Sequence, residues 1–228
     1  MLSCFHERTT ELCPTLKVEI QELVIATMHS RNLAARALGM PDYALKANGG
    51  RVAKQLTSGG RNLLGLRTDN PDAAIDDDIH AGRCWKLSTF PSQIGVRLPR
   101  IIYPSHVSID HLPQDVIIDI GQAPRNMTLW GVVDGKNNTD IFKSLLASNH
   151  YPDILPRAPP IAKDFLWAPL VSFAYDIHDG DIVQTFPISP QYKDNGMSFG
   201  IVALEVLSNW GSDVTCLYRM RIHGSAAY

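Results

Sequence analysis

The sequence lacks the long apolar run and the basic excess that two large classes of protein require. A membrane-spanning helix needs about 18–20 consecutive apolar residues, and no such run occurs among the 228 residues. The formal net charge of −2 does not favour binding to nucleic acid or to an anionic membrane surface. Residues 1–4 do not begin a signal peptide, because no basic region precedes an apolar core. We expect the targeting segment of any secretory form to lie outside this stretch of chain.

Several common catalytic motifs are also absent: there is no P-loop, no Rossmann glycine set and no HExxH. Asp110 and His111 are neighbours, but they would contribute to hydrolysis only beside a nucleophile. A carboxylate pair of the glycosidase type has no local spacing, which leaves that class open. We therefore predict that the protein is not an enzyme.

Cysteine is scarce, and its positions form neither a CxxC pair nor a zinc-binding spacing. The four residues are Cys4, Cys13, Cys84 and Cys216. The count alone favours reduced, partly buried thiols. Two glycosylation triplets begin at Asn126 and Asn137 and hint at a lumenal setting, although such triplets are common by chance.

The sequence does contain a long series of short apolar segments separated by turns. About eight or nine of them follow residue 84, and the last, 215–222, alternates with the period of two that is typical of a half-buried strand. Asp179-Gly180 predicts a hairpin turn. One helical pattern, 15–38, precedes the strands and ends before Gly39 and Pro41. The pattern predicts a mainly β protein, an antiparallel, jelly-roll-like β-sandwich with an N-terminal α-helical extension.

Three other segments stand apart from the strands. The helix at 15–38 keeps a heptad for about two repeats, short of the three or four that define a coiled coil. We interpret 1–40 as a helical segment, either packed on its own domain or the end of a coiled-coil stalk, and 41–228 as the β domain. Residues 135–163, with a short helix at 140–147 and a proline-rich run, predict a surface insertion. The acidic run at 76–78 predicts either a solvated turn or a loop that binds a cation.

Several short motifs occur in a fixed order between residues 42 and 224. They are DYAL at 42–45 with Gly49-Gly50, GRCW at 82–85, DHLP at 110–113, Ala123-Pro124, FAYD at 173–176 with Asp179-Gly180, SNWG at 208–211, TCLYR at 215–219, and His223-Gly224. In this order they resemble the SUN domain, the lumenal module of inner nuclear membrane proteins.

The resemblance implies a β-sandwich that forms a homotrimer below a coiled-coil stalk and binds the C-terminal tail of KASH proteins. Together the two proteins form the LINC bridge between nucleus and cytoskeleton. The domain would face the perinuclear space at the nuclear envelope, with the full-length protein anchored in the inner nuclear membrane and this fragment soluble.

The resemblance also implies how the tail is held. The tail adds a strand to a lid, here about 56–72, and its terminal carboxylate enters a pocket that by motif position contains His111, Gln122 and Tyr218. Charge-assisted hydrogen bonds suit that role. Val214 stands where animal members have a second pocket tyrosine, and Leu56 replaces a lid cysteine, so we expect no covalent link to the partner.

Two further features follow from the resemblance alone. It implies a disulfide between Cys84 and Cys216, which needs an oxidising compartment. It also implies a loop for a monovalent cation, K⁺ or Na⁺, held mainly by backbone oxygens. The corresponding positions are Ala73, Asp76, Asp78, Arg83 and Tyr218. Arg83 stands where an uncharged residue is usual.

A glycan-binding, lectin-like sandwich is the alternative function, because jelly-roll sandwiches often bind sugars. The two hypotheses differ in what they require. A glycan site needs exposed aromatic rings on a concave sheet face or a loop rim, whereas tail binding needs a pocket at Tyr218 beside an open strand edge.

Overall fold

The computed structural model describes residues 39–59, 69–148 and 158–227. The predicted helix at 15–38, the middle of the predicted lid and the proline-rich run lie largely or wholly outside these ranges. The strands are Arg51–Val52 (β1), Trp85–Leu87 (β2), Ser92–Asp110 (β3), Asn126–Val133 (β4), Leu166–Ala174 (β5), Val183–Pro187 (β6), Phe199–Val206 (β7), Thr215–Leu217 (β8) and Arg219–Ala226 (β9). The helices are Lys136–Ala147 (α1) and Pro190–Asp194 (α2).

The fold is an antiparallel β-sandwich whose two layers share strand β3. The first half of β3 pairs with β1 and β7, and the sheet continues through β4 to β5. The second half of β3 pairs with β9 on one side and β6 on the other. The pairing of β3 changes from β7 to β9 at Ile102, which is the partner of both Phe199 in β7 and Ala226 in β9.

Prolines mark the two irregular points of β3. The pairing with β7 shifts register between Arg97 and Ile102, around Pro99, and the pairing with β9 shifts between Pro104 and His106. Proline cannot donate a hydrogen bond to a neighbouring strand, so it is tolerated where the ladder is interrupted. The interruptions let one strand bend from one layer into the other.

The core lies between the layers and draws apolar side chains from nearly every strand. Ile94 and Val96 from the first half of β3 belong to the same buried cluster as Ile109 from the second half and Ile222 from β9. Burying each such side chain stabilises the fold by about 1.5–3 kcal/mol.

The structure corrects three predictions. Asp179-Gly180 does form a turn, with Gly180 at φ 79°, but it is not a hairpin, because β6 pairs with β3 and not with β5. The apolar segment 116–120, which the sequence pattern predicts as a strand, is not one: its two ends belong to short 3-10 helices, Gln114–Val116 and Ile120–Gln122.

The third correction concerns the predicted surface insertion at 135–163. Helix α1 begins four residues earlier than predicted, at Lys136. It packs Phe142 and Leu145 against the main core cluster, while most of its other residues are exposed, so the helix lies on the surface and covers the core. No helix among the described residues is long and apolar enough to cross a membrane.

Candidate functional site

A cavity of about 240 Å³ opens between the β2–β8 pair and the segment around residues 116–122. His111, Gln122 and Tyr218 all line it, although they lie up to about a hundred residues apart in the sequence. The structure therefore brings three of the predicted pocket residues together. Val214, the fourth, is half-buried and does not line the cavity.

Tyr218 lies between β8 and β9, where the chain passes from the small two-stranded sheet into the main one. The ring is 5% exposed and meets the ring of His111 edge-on, with 5.0 Å between centroids. The phenol oxygen accepts a long hydrogen bond of 3.5 Å from the backbone N–H of Gly82. Within the described residues its own proton has no acceptor, so it is available to a ligand in the cavity.

His111 directly follows β3 and is almost completely buried. Its Nδ1 lies 3.1 Å from the carbonyl oxygen of Leu112, and because a carbonyl can only accept, Nδ1 carries the proton. Burial lowers the pKa of the imidazole, so the ring is neutral near pH 7. Nε2 is buried and has no hydrogen-bond partner in the described part of the chain. Buried polar atoms are rarely left without a partner, so Nε2 is free to take part in a hydrogen bond with a ligand in the cavity.

The cavity wall is held by the disulfide between Cys84 and Cys216, which confirms the pairing that the resemblance implies. The Cα atoms are 5.4 Å apart and the bridge closes a sequence separation of 132 residues. The free-thiol interpretation is therefore wrong for this pair, while Cys4 and Cys13 lie outside the described residues. The bridge packs with Tyr218 in one small buried cluster, so it fixes the strand that carries the phenol.

The SNWG turn fixes the segment that carries Gln122. Trp210 donates its backbone N–H to the carbonyl oxygens of Gly121 and Ala123. Its indole N–H donates to the Tyr175 carbonyl at 3.0 Å, and the Arg125 guanidinium lies 4.4 Å from the ring centroid. This motif therefore positions one wall of the cavity without entering it.

The positively charged side chain of Arg83 pairs with the carboxylates of the acidic loop. Its guanidinium lies 2.8 Å from the Asp76 carboxylate and 2.9 Å from that of Asp78. Burial raises the pKa of the Asp76 carboxyl, but the backbone N–H of Asp78 and the Arg83 guanidinium outweigh it, so the pKa lies below its ordinary value. Both carboxylates are therefore already paired with a cation, and no cluster of metal-ligating side chains occurs among the described residues. A K⁺ or Na⁺ ion held by backbone oxygens stays a prediction. Ala73 is buried beside the loop.

Two other predicted features have simple structural settings. Asn126 begins β4 and Asn137 lies in the first turn of α1, and both are exposed; glycosylation at either stays a prediction. Asp110 forms a two-pronged ion pair with Arg221, so its carboxylate is held by a cation and does not orient His111.

Sequence reasoning missed three parts of the cavity: the backbone at Gly82, the segment 116–119, and Lys86. Lys86 had a readable signal. It is the one polar residue of β2, between buried Trp85 and Leu87, and strand alternation turns it away from the core.

Comparison with known proteins agrees with this architecture. The Sad1/UNC-like C-terminal family model matches residues 65–154 and 159–226. SUN domain-containing protein 1 of Homo sapiens is 27% identical over 200 residues, which are 82% of this chain and 22% of that protein. SUN domain-containing protein 3 of Bos taurus is 29% identical over 201 residues, 82% of this chain and 47% of that protein.

The Klaroid protein of Drosophila melanogaster is 26% identical over 237 residues, 96% of this chain and 21% of that protein. The chain thus spans less than half the length of these relatives. A family 32 carbohydrate-binding module from Streptococcus pneumoniae EndoD superposes with a TM-score of 0.51 at 11% identity, over 81% of this chain and 99% of the module, which shows a shared sandwich fold. The family match covers more than half of the chain, and the chain therefore belongs to the Sad1/UNC-like C-terminal family, the SUN domains.

Proposed function

We propose that this domain is a non-enzymatic adaptor that binds the C-terminal tail of a KASH protein and so forms a LINC bridge between nucleus and cytoskeleton. The domain faces the perinuclear space and belongs to a protein anchored in the inner nuclear membrane. The observation that carries the proposal is the cavity at Tyr218, where a phenol and an imidazole with unused hydrogen-bonding capacity lie side by side.

The chemistry of the cavity suits a carboxylate that ends a chain. The phenol O–H of Tyr218 can donate to it directly, and Nε2 of His111 can donate once the ring is protonated. Hydrogen bonds to an ionised acceptor are about twice as strong as neutral ones. Both groups are buried, so water competes weakly for them.

The mouth of the cavity suits the apolar part of a tail. Val116 and Ile118 line it and are 55% and 108% exposed. Large apolar side chains this exposed are typical of a surface that a partner covers. A tail lying across them would bury apolar surface while its terminus enters the cavity.

The connection between the cavity and residues 41–43 suits an adaptor under tension. Strand β9 begins directly after Tyr218, and its first residue, Arg219, pairs with the Asp42 carboxylate at 2.9 Å. Tyr43 donates its backbone N–H to Ile222 at 2.8 Å. A pull on the tail would therefore pass through a few residues of β9 to the N-terminal side of the domain.

The test is a calorimetric titration of the whole chain with a synthetic KASH C-terminal tail peptide. Tyr218→Phe removes only the phenol oxygen and should weaken binding about tenfold or more, since a hydrogen bond to a charged group is worth about 1.5–3 kcal/mol. Tyr192→Phe, at a buried tyrosine that does not line the cavity, is the matched control and should leave affinity unchanged. Equal affinities of Tyr218→Phe and wild type would refute the assigned role.

Three expectations from the sequence keep the status of predictions. The homotrimer needs a stalk, and residues 1–38 lie outside the described ranges. The lid to which the tail would add a strand is predicted at about 56–72, and its residues 60–68 are also outside the described ranges. The glycan-binding alternative draws on the sandwich fold, which serves many functions.

A further inference from the structure

We infer that Lys86 is a specificity-determining residue of this cavity, which supplies the positive charge that selects a ligand ending in a free carboxylate. The inference rests on the proposed function and adds a residue to it. It starts from the register of the two-stranded sheet. Lys86 is directly opposite Cys216 in the antiparallel β2–β8 pair, and directly opposed residues project from the same face.

That face is the cavity. Cys216 and Lys86 both line it, together with Tyr218 and His111. The flanking residues Trp85 and Leu87 are buried on the other face. The strand register therefore places the Lys86 side chain on the cavity side of the two-stranded sheet.

The ammonium group has no partner of its own. No hydrogen bond or ion pair engages it within residues 39–59, 69–148 and 158–227. Lysine has three donors and no acceptor, so an exposed ammonium at the mouth of a cavity with unused donors favours an anion.

The cavity also contains one negative charge, the carboxylate of Asp119. One of its oxygens already accepts the Gly121 N–H at 2.9 Å. Alone, this carboxylate would repel an anionic ligand. Lys86 offsets it, and it also compensates for Val214, which offers no polar group and lies outside the lining.

The test is a set of calorimetric titrations that combine a residue change with a ligand change. The whole chain, as wild type and as Lys86→Met, is titrated with a KASH tail peptide bearing either a free C-terminal carboxylate or a C-terminal amide. Methionine keeps the length and removes the charge. We expect Lys86→Met to lose about three- to tenfold in affinity for the free acid and to bind the amide as the wild type does.

Three controls separate a charge effect from a structural one. Lys86→Arg should restore the preference for the free acid, Lys193→Met on exposed helix α2 should change nothing, and the Lys86 effect should shrink at high salt. A wild type that binds neither peptide refutes the proposed function. A wild type that prefers the free acid while Lys86→Met keeps the full preference refutes the role of Lys86 alone.

An independent observation supports a second inference: Arg83 replaces a bound cation in holding the acidic loop closed. The guanidinium bridges Asp76 and Asp78 at 2.8 and 2.9 Å through its two terminal nitrogens, while its Nε is buried without a hydrogen-bond partner among the described residues. The loop joins the cavity through Gly82, whose N–H reaches the Tyr218 oxygen. The positive charge that orders the loop is therefore part of the chain.

The test compares thermal unfolding in potassium chloride with unfolding in N-methylglucamine chloride at the same ionic strength. We expect the wild type to unfold at the same temperature in both. Arg83→Met should unfold on the order of 2–4 °C lower in both salts, and Arg83→Lys should recover part of that loss. A wild-type midpoint that potassium raises, or an Arg83→Met midpoint equal to that of the wild type, would overturn the inference.

Discussion

Two cavities of nearly equal size, about 240 and 260 Å³, lie in different parts of the domain and use their polar groups in opposite ways. In the cavity at Tyr218, the described residues leave the phenol proton, the His111 Nε2 and the Lys86 ammonium without partners.

In the second cavity, at β4 and α1, the polar groups of Asp134 and Asn138 are already used. The Asp134 carboxylate accepts the Gly135 N–H at 2.8 Å. The Asn138 amide bonds both the N–H and the carbonyl of Ser198. The two cavities therefore differ in their unused polar groups and not in their volume.

The largest expected effect concerns the disulfide beneath the first cavity. Changing Cys84 and Cys216 together to Ser removes a bridge across 132 residues, which in the chain-entropy model costs about 4–5 kcal/mol of unfolding free energy. Guanidinium unfolding with and without reductant measures it. Reductant should destabilise the wild type and leave the double variant unchanged. If the double variant lost less than about 1 kcal/mol of unfolding free energy, the disulfide would not stabilise the domain as predicted.

The second prediction contrasts one polar residue from each cavity. Asn138→Ala should lower the free energy of unfolding by about 1–3 kcal/mol, because it leaves Ser198 without its partners, and should leave tail affinity unchanged. Tyr218→Phe should do the reverse, with stability altered by less than about 1 kcal/mol, since its one hydrogen bond to the chain is long. If both changes mainly lowered the unfolding free energy, or both mainly lowered tail affinity, the two cavities would not differ in function as proposed.

The third prediction is that tail affinity rises as the pH falls. Nε2 of His111 must be protonated to donate to a carboxylate, so the pKa of His111, lowered by burial in the free domain, should rise in the complex. Affinity then increases, by at most about tenfold per pH unit, between the two values.

Calorimetry between pH 5.5 and 8, in buffers of different ionisation enthalpy, would detect the accompanying proton uptake. His111→Asn, which presents a side-chain amide that does not titrate, should flatten the dependence. If the affinity of the wild type for the tail did not change with pH in this range, His111 would not contact the carboxylate.

The smallest effect concerns the stability of the unliganded domain in acid. Burial lowers the pKa of both His111 and His223 below their ordinary value of 6.5. Below pH 6.5 the unfolded chain therefore binds more protons than the folded one, and stability falls with pH until the folded values are passed. Unfolding midpoints at pH 7.5 and 5.5 measure the loss, and His178→Gln, at a histidine that burial does not shield, should behave as the wild type. No loss between these pH values would contradict both assignments.

Sequence motifs predicted the sandwich, the Cys84–Cys216 pairing and the meeting of His111 with Tyr218, because these residues carry the family pattern. The Asp179-Gly180 prediction failed because turn residues encode a reversal of direction, and not which strands then pair. The sequence pattern predicts only short strands, whereas β3 runs for 19 residues, because it bends around Pro99 and Pro104 and does not end there. Lys86 was missed because motif comparison transfers only what the family shares.

The most direct measurement is a crystal structure of the domain with a bound KASH tail peptide. We predict that the terminal carboxylate lies within hydrogen-bonding distance, about 2.5–3.0 Å, of the Tyr218 hydroxyl. His111 Nε2 and the Lys86 ammonium should contact the same carboxylate. A tail whose carboxylate lies in solvent, or whose terminus occupies the cavity beside Asn138, would contradict it.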